Sequence, residues 1–315
     1  MKKYELTDDS ITFMGRKLFR IRAIRSFNDV AVGDLGGYIE KEENLSHDND
    51  AWISDNARIS GNARISDKAR IYGDARISGN ARISDKAHIS GNARICGNAC
   101  ICGNACIFGD ARICDNAWIS GYACIYDNAH IYDHADIYGN ARIYGNACIS
   151  GNARISGNAR ISDKAHIYDH ADISGDACIY GNAHISGNAH IYDHVNISGN
   201  AHIYDHADIS GDARISGNAC IFGNTCSYDN ISISDNAHIS DDADYLYLKG
   251  LGSKNRNTTF FKCKDGHIHV SCGCFSGNLA EFETKVKKTH GDSKYAKEYL
   301  ACIEVVKIHF EEEKK

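Results

Sequence analysis

Proline is absent from this chain of 315 residues, although ordinary usage of about 5% would give roughly 16. Proline has no backbone N–H and removes a hydrogen-bond donor wherever strands pair. Its absence therefore indicates that much of the chain lies under a repeating backbone constraint. The hydrophobic content of 43% excludes a wholly disordered chain and a collagen-like one.

Long apolar runs and a positive net charge are also missing. No apolar stretch approaches the roughly 18 residues that span a membrane, so we expect no membrane partner. The first residues lack the apolar segment of a signal peptide, so we expect a cytoplasmic protein whose 14 cysteines are reduced thiols. The net charge of −6 argues against a uniformly basic nucleic-acid binder but not against a local basic patch.

A six-residue repeat, Asn-Ala-x-Ile-x-Gly with frequent Asp, occupies residues 51–244. Ala stands at every sixth position from 51 to 243, 33 positions in all, except where Val195, Thr225 and Ile231 replace it. Within each unit Ala and Ile alternate with an outward residue, which predicts a three-residue strand. Gly, Asn and Asp between the strands favour tight corners. Strands this short must stack on one another, as in a solenoid.

The repeat resembles the left-handed parallel β-helix of hexapeptide-repeat proteins, in which three units form one triangular coil. The resemblance implies an all-β solenoid, left-handed, with about 11 triangular coils from the 33 units. We expect a β-rich N-terminal cap over residues 1–50 and a small α+β C-terminal domain over residues 245–315. A cap is physically required because a solenoid end exposes strand edges and apolar columns.

The N-terminal segment carries a predicted hairpin around Met14-Gly15-Arg16, followed by a distinctive junction. The junction comprises Ser26-Phe27-Asn28-Asp29-Val30, Gly33, Gly36-Gly37-Tyr38-Ile39, Asn44-Leu45-Ser46 and Ala51-Trp52-Ile53. It resembles the cap-to-solenoid junction of YdcK-like hexapeptide proteins, which occur in enterobacteria, phages and prophages. That family has no established biochemical function to transfer.

The C-terminal segment is predicted to form a hairpin around Asp265-Gly266 and helices over 278–289 and 294–309. This arrangement resembles a tail attached to phage-encoded hexapeptide proteins. The second helix, which carries Tyr295 and Tyr299, is predicted to cover the last coil, to join subunits of a homo-oligomer, or to bind a host or phage protein.

Outward residues recur on each face of the solenoid, and one face places Arg58, Arg76, Arg94 and Arg112 on four consecutive coils. Residues 51–118 carry nine basic and six acidic side chains, whereas residues 119–244 carry five basic and sixteen acidic ones. Guanidinium groups bind phosphates in a forked geometry, so the four arginines are a candidate site for an anionic ligand. The alternative is a solvated face, because neighbouring charges about 5 Å apart repel by only roughly 1 kcal/mol in water.

The histidines and cysteines form only incomplete sets of metal ligands, and we expect no bound metal and no cofactor. His166, His184 and His202 follow one another on the face of the four arginines and are the candidates in the repeat, but no further ligands are evident. The C-terminal segment holds Cys263, His267, His269, Cys272 and Cys274, without the paired Cys-x-x-Cys spacing of common zinc sites. A packed hairpin is the preferred interpretation of that segment.

These patterns predict a non-enzymatic rigid scaffold or binding protein of phage or prophage type. The first alternative is a hexapeptide acyltransferase or metal-dependent enzyme, but the uninterrupted repeats provide no loop to form a concave pocket. The second alternative is an anti-defence protein that sequesters a host protein or a nucleotide signal.

Overall fold

The computed structural model describes residues 1–227 and 231–311. Residues 228–230 of the predicted solenoid and 312–315 of the predicted C-terminal domain lie outside the described residues. The chain comprises two compact units, Met1–His170 and a second that begins at Ala171. Among the described residues, no helix combines the length and the apolar character needed to cross a bilayer.

The first unit begins with three strands, β1 (Tyr4–Phe13), β2 (Arg16–Ala23) and β3 (Leu35–Ile39), followed by a 3₁₀ turn at Glu42–Asn44. β1 and β2 form the antiparallel hairpin predicted at Met14-Gly15-Arg16, and β3 pairs antiparallel with β2. β3 then pairs in parallel with the solenoid strand at Arg58–Ile59. A Cβ on Gly37 would lie 2.6 Å from the Ala57 carbonyl oxygen, so glycine permits this close approach.

Twenty two-residue strands, β4–β23, continue the first unit. They are Trp52–Ile53, Arg58–Ile59, Arg64–Ile65, Arg70–Ile71, Arg76–Ile77, Arg82–Ile83, His88–Ile89, Arg94–Ile95, Cys100–Ile101, Cys106–Ile107, Arg112–Ile113, Trp118–Ile119, Cys124–Ile125, His130–Ile131, Asp136–Ile137, Arg142–Ile143, Cys148–Ile149, Arg154–Ile155, Arg160–Ile161 and His166–Ile167. Every third strand pairs in parallel and in register, giving three sheets within the unit: β1-β2-β3-β5-β8-β11-β14-β17-β20-β23, β4-β7-β10-β13-β16-β19-β22 and β6-β9-β12-β15-β18-β21.

The repeat positions explain the packing. The Ala and Ile columns are buried throughout this unit, and each buried Ile contributes about 1.5–3 kcal/mol. Corner positions between strands hold Gly or Asp with φ between about 55° and 75°, as at Gly121 (68°) and Asp85 (56°). Asp is useful there because its carboxylate accepts the amide of the next corner: Gly103 N donates to Asp85 Oδ2 at 2.9 Å.

The second unit continues the same architecture in twelve strands, β24–β35. They are Asp172–Ile173, Cys178–Ile179, His184–Ile185, His190–Ile191, Asn196–Ile197, His202–Ile203, Asp208–Ile209, Arg214–Ile215, Cys220–Ile221, Cys226–Ser227, Ser232–Ile233 and His238–Ile239. They pair as β24-β27-β30-β33, β25-β28-β31-β34 and β26-β29-β32-β35. A corner column of asparagine amides, Asn182, Asn200, Asn218 and Asn236, is linked by hydrogen bonds of 3.0–3.2 Å.

A small domain follows a 3₁₀ turn at Asp242–Asp244. It contains an antiparallel sheet of β36 (Tyr245–Leu251), β37 (Arg256–Lys262), β38 (Ile268–Cys272) and β39 (Phe275–Asn278), and helices α1 (Leu279–His290) and α2 (Lys294–His309). The side chains that pack the sheet against the helices include Phe260, Val270, Phe282, Tyr299 and Val306.

The structure confirms the predicted fold class: a parallel β-solenoid of about 11 coils with a small C-terminal domain of two helices and an antiparallel sheet. Both predicted hairpins are present. The first helix begins one residue later than predicted because Asn278 is its N-cap, accepting a 2.9 Å hydrogen bond from Glu281 N. The three-domain division at residues 50 and 244 stays a prediction.

Candidate functional site

The Arg ladder, defined as Arg58, Arg76, Arg94 and Arg112, lies on consecutive strands of one sheet. Each arginine is directly opposite the next in the parallel register of β5, β8, β11 and β14. Strands in a sheet are about 4.8 Å apart, so the four side chains extend over roughly 14 Å. The structure therefore brings together all four arginines that the sequence singled out.

The first half of the ladder contacts the N-terminal hairpin. The Phe13 ring lies 5.0 Å from the guanidinium carbon of Arg58 and 5.2 Å from that of Arg76, a distance at which a cation and an aromatic face attract. These two arginines are half-buried, whereas Arg94 and Arg112 are exposed. Arg58 Nε is buried and has no acceptor among the described residues.

The ladder concentrates four positive charges on one sheet. Across residues 1–227 and 231–311, the structure records no salt bridge between a carboxylate and any of the four ladder arginines. Other arginines are paired: Arg70 with Asp29, and Arg16 with Glu40. The unneutralised charge leaves the ladder's forked donors free for an anion.

Two residues extend this line beyond what the sequence indicated. Tyr38 of β3 is opposite Arg58, and Arg20 of β2 is opposite Tyr38. Arg20 donates a 3.2 Å hydrogen bond to the Tyr38 hydroxyl and lies 3.7 Å from Asp9. Side chains alternate between the two faces of a strand, so the predicted hairpin could have placed Arg20 on an outer face. No sequence signal showed that β3 pairs with β5, and so none placed Arg20 and Tyr38 in line with the ladder.

The other end of the line is neutral rather than cationic. His130 is opposite Arg112, and its pKa is lowered by burial and then by the Arg112 charge. A lowered pKa favours the uncharged imidazole near neutral pH. The run of positive charge on this sheet therefore ends at Arg112.

Two grooves near the N-terminal end of the solenoid differ in charge. One, of about 160 Å³, is lined by Phe13, Met14, Arg76, Arg94 and other residues beside the ladder. The other, of about 410 Å³, lies at a corner that carries Lys68 and Lys86 next to Asp67 and Asp85. The acidic side chains offset the two lysines in the larger groove, whereas the lining of the smaller one includes two arginines and no carboxylate.

Two of the histidine candidates of the repeat, His184 and His202, do not have a chelating geometry. His184 and His202 are stacked, with ring centroids 4.9 Å apart and planes inclined by 23°. A metal lies in the plane of an imidazole that binds it, so near-parallel rings direct their lone pairs side by side rather than toward one point. His166, in the first unit, is opposite Cys148.

The C-terminal hairpin gathers three of its five candidate ligands. Ligand atoms of Cys263, His267 and His269 all lie within 4.8 Å of one another, and we call these three residues the Cys–His cluster. Burial raises the pKa of the Cys263 thiol to about 11, helped by the Asp265 and Asp235 charges. Cys272 and Cys274 are not part of the cluster.

The alternation of β38 explains which residues are separated. His269 packs its ring against Phe261 on one face of the sheet, with centroids 5.1 Å apart. Cys272, an odd number of positions later, belongs to the core between the sheet and the helices, where it accepts a hydrogen bond from Thr258. Cys274 is exposed in the following turn.

The two tyrosines predicted to contact a partner have different environments. Tyr299 is only 5% exposed and its hydroxyl donates to the Leu251 carbonyl at 3.3 Å. Tyr299 therefore stabilises the domain core, and its assignment to a partner surface is corrected. Tyr295 is half-buried, and its role in partner binding stays a prediction.

One protein-family model matches parts of the repeat. The YdcK beta solenoid repeat family matches residues 51–67, 57–73, 69–85, 75–91, 135–151 and 147–169. Together these matches cover about a quarter of the chain. A search of curated proteins gives no significant match.

The solved structures that match part of this chain include two acyltransferases. The UDP-N-acetylglucosamine O-acyltransferase (LpxA) from Moraxella catarrhalis RH4 is 18% identical, with a TM-score of 0.36 and coverage of 57% of this chain and 72% of its own. The UDP-N-acetylglucosamine acyltransferase from Campylobacter jejuni is 17% identical, with a TM-score of 0.24 and coverage of 56% and 70%. The repeat matches and the modular strand pattern together support a YdcK-like β-solenoid repeat protein.

Proposed function

We propose that this chain is a non-enzymatic binding protein whose Arg ladder holds a linear, phosphate-bearing polyanion. The observation that carries the proposal is the register of Arg58, Arg76, Arg94 and Arg112 on four successive strands, with no salt bridge to a carboxylate among the residues that the structure describes. A row of forked donors about 4.8 Å apart lets one extended chain that carries several phosphates contact more than one guanidinium group.

The hairpin tip favours one end of the ladder for initial contact. Phe13 keeps Arg58 and Arg76 in place by covering one side of their guanidinium groups. Ordering a long side chain before binding lowers the entropy lost on binding. Arg94 and Arg112, which are exposed, then extend the site along the solenoid.

The test measures how binding depends on salt. Fluorescence anisotropy with a single-stranded oligonucleotide, and separately with inorganic polyphosphate, compares the full chain with a variant in which all four ladder arginines become Gln. Each phosphate contact contributes about 0.7 to the slope of log K against log salt for a single strand. Loss of four contacts should lower that slope by roughly 3.

A matched control removes the same charge elsewhere in the same unit. Arg64 and Arg82 form one exposed pair on adjacent strands, and Arg142 and Arg160 form another. Changing these four to Gln lowers the net charge equally without touching the ladder, and should leave the slope nearly unchanged. Equal slopes for the two quadruple variants would refute the proposal.

The alternative functions gain no comparable support. Both structural neighbours are described as acyltransferases, but TM-scores below 0.5 carry no argument about activity. The strands from Trp52 to His166 recur every six residues without an inserted loop, whereas ligand sites of enzymes are normally concave pockets. A cytoplasmic location, a phage origin and a homo-oligomer through the C-terminal domain remain parts of this proposal to be tested.

A further inference from the structure

The tip of the C-terminal hairpin is fixed against the last solenoid turn. Lys264 N donates a 3.0 Å hydrogen bond to the Asn236 carbonyl, and Cys263 forms an antiparallel bridge with Ala237. Within the tip, Cys263 N donates to the His267 carbonyl at 2.9 Å and Gly266 N to the Cys263 carbonyl at 2.8 Å. The backbone that carries the Cys–His cluster is therefore held from both sides before any ligand binds.

A carboxylate from the solenoid completes the set of side chains at this point. Asp235 Oδ2 lies 3.0 Å from His269 Nε2. Asp235 is a corner residue with φ of 56°, in the segment between β34 and β35. The sheet and the solenoid thus contribute thiol, imidazole and carboxylate groups to one place, the ligand types that zinc takes in proteins.

We propose that Cys263, His267, His269 and Asp235 bind one divalent transition-metal ion of the zinc class. Tetrahedral zinc with bonds of about 2.0–2.3 Å keeps its ligand atoms roughly 3.3–3.8 Å apart. The three cluster atoms, now within 4.8 Å of one another, need side-chain adjustments of about 1 Å to reach that geometry. The ion would tie the hairpin tip to the end of the solenoid.

The surroundings of the two histidines have the features of metal-binding sites. Asp265 Oδ1 is hydrogen-bonded to His267 Nδ1, which leaves Nε2 of that ring as the metal-binding nitrogen and fixes the tautomer. A carboxylate that orients a histidine in this way is a common partner of zinc ligands. Ser276 Oγ lies 2.8 Å from His269 Nε2, the nitrogen that also faces Asp235, so the metal replaces this hydrogen bond when it binds.

Two of the four proposed ligands are buried and two are exposed to solvent. Cys263 and His269 are 4% and 7% exposed, whereas the side chains of Asp235 and His267 are 55% and 41% exposed. A metal can reach the site from the solvent side and be held by the two buried ligands. Four protein ligands leave no open position, which is characteristic of structural rather than catalytic zinc.

The experiment uses the full chain, freed of metal with a chelator and kept reduced. Zn²⁺ affinity and stoichiometry are measured by competition with a chromophoric chelator, and Co²⁺ binding by its visible bands and its sulfur-to-metal charge-transfer band. The wild-type chain should bind one equivalent of Zn²⁺ more than either C263S or H267Q. The charge-transfer band should disappear in C263S, and D235N should weaken binding at least about tenfold.

Two further variants separate this site from other thiols and from a folding defect. C274S changes an exposed cysteine of the same turn region. It should still bind the additional equivalent of metal and show the charge-transfer band. D265N removes only the group that orients His267 and should weaken binding by about 10–100-fold without changing stoichiometry. Because His267 is partly exposed, H267Q tests the site even if C263S fails to fold.

Two results would contradict the proposed metal site. An unchanged equivalent in H267Q, or a charge-transfer band that persists in folded C263S, would overturn the metal site. The Arg ladder plays no part in either measurement, so the two proposals can fail independently.

Discussion

Gly121 occupies a solenoid corner where the backbone φ is +68°. A Cβ built there would lie 2.8 Å from the Gly139 carbonyl oxygen and 2.9 Å from the Gly139 amide nitrogen. Both neighbours are backbone atoms of the next corner and cannot rotate away. Nevertheless, other corners of the same unit hold Asp, as at Asp85 and Asp127. We therefore expect the larger Asp to be tolerated better than Ala at position 121.

The expected magnitudes follow from three contributions. A left-handed conformation costs an ordinary L-residue about 1–2 kcal/mol, and overpacking adds about 1–3 kcal/mol, so Gly121→Ala should cost roughly 2–5 kcal/mol. Asp adopts the left-handed conformation more readily. Its carboxylate can accept the Gly139 amide, as Asp85 accepts that of Gly103 at 2.9 Å, a bond worth about 1 kcal/mol. Gly121→Asp should therefore be less destabilising than Gly121→Ala by about 1–2 kcal/mol.

Urea unfolding followed by far-ultraviolet circular dichroism compares the two variants with wild type. Gly15→Ala is the matched control, because Gly15 has a similar φ of 74° but a Cβ added there would meet no atom within 4 Å; it should cost only about 1–2 kcal/mol. Gly121→Asn, which keeps the shape of Asp without its charge, should lie between Asp and Ala. If Ala is as well tolerated as Asp, the carboxylate does not compensate for the corner and the reasoning is wrong.

Two other predictions concern the ends of the chain. Burial lowers the pKa of Lys3 to about 8, below its unfolded value of about 10.4. Keeping Lys3 charged in the folded protein therefore lowers the free energy of unfolding by roughly 3 kcal/mol. This loss is fully present below pH 8 and is relieved as pH rises toward 10. Between pH 7 and pH 10, the free energy of unfolding measured with urea should rise relative to that of Lys3→Met, which lacks the titrating group. If the two proteins show the same dependence of this free energy on pH, the reasoning is wrong. Asn278→Ala should cost about 1 kcal/mol by removing the 2.9 Å cap of Glu281 N, whereas Asn278→Asp should retain the cap; equal loss in both would exclude capping as the cause.

The sequence was sufficient for the solenoid because its constraints are local and periodic. An alternating Ala-x-Ile segment with Gly or Asp corners allows few other conformations, and an unbroken period leaves no freedom in register. The opposition of Arg58, Arg76, Arg94 and Arg112 followed from their spacing together with the three units per coil that the resemblance to hexapeptide-repeat proteins implies. The helix over 294–309 was also predictable, since its turns are internally hydrogen-bonded.

The rest of the candidate sites depends on contacts between distant segments. Phe13 reaches Arg58 and Arg76 only because β3 joins the solenoid at β5, and no spacing rule predicts that pairing. The burial of Tyr299 likewise depends on how α2 packs against the sheet. A residue on one helical stripe can face either a core or a partner, and the stripe alone does not distinguish them.

The two proposed sites differ because regular and irregular backbone produce different ligand geometries. A perfect repeat sets equivalent side chains parallel and about 4.8 Å apart, which suits a row of contacts with an extended anion. The same parallel arrangement stacks His184 on His202 and prevents them from converging on one ion. Convergence requires a turn and a second segment, as where the hairpin tip brings Cys263 close to Asp235. Binding by many repeated charges is therefore expected along the solenoid, and coordination of a single ion where the repeat ends.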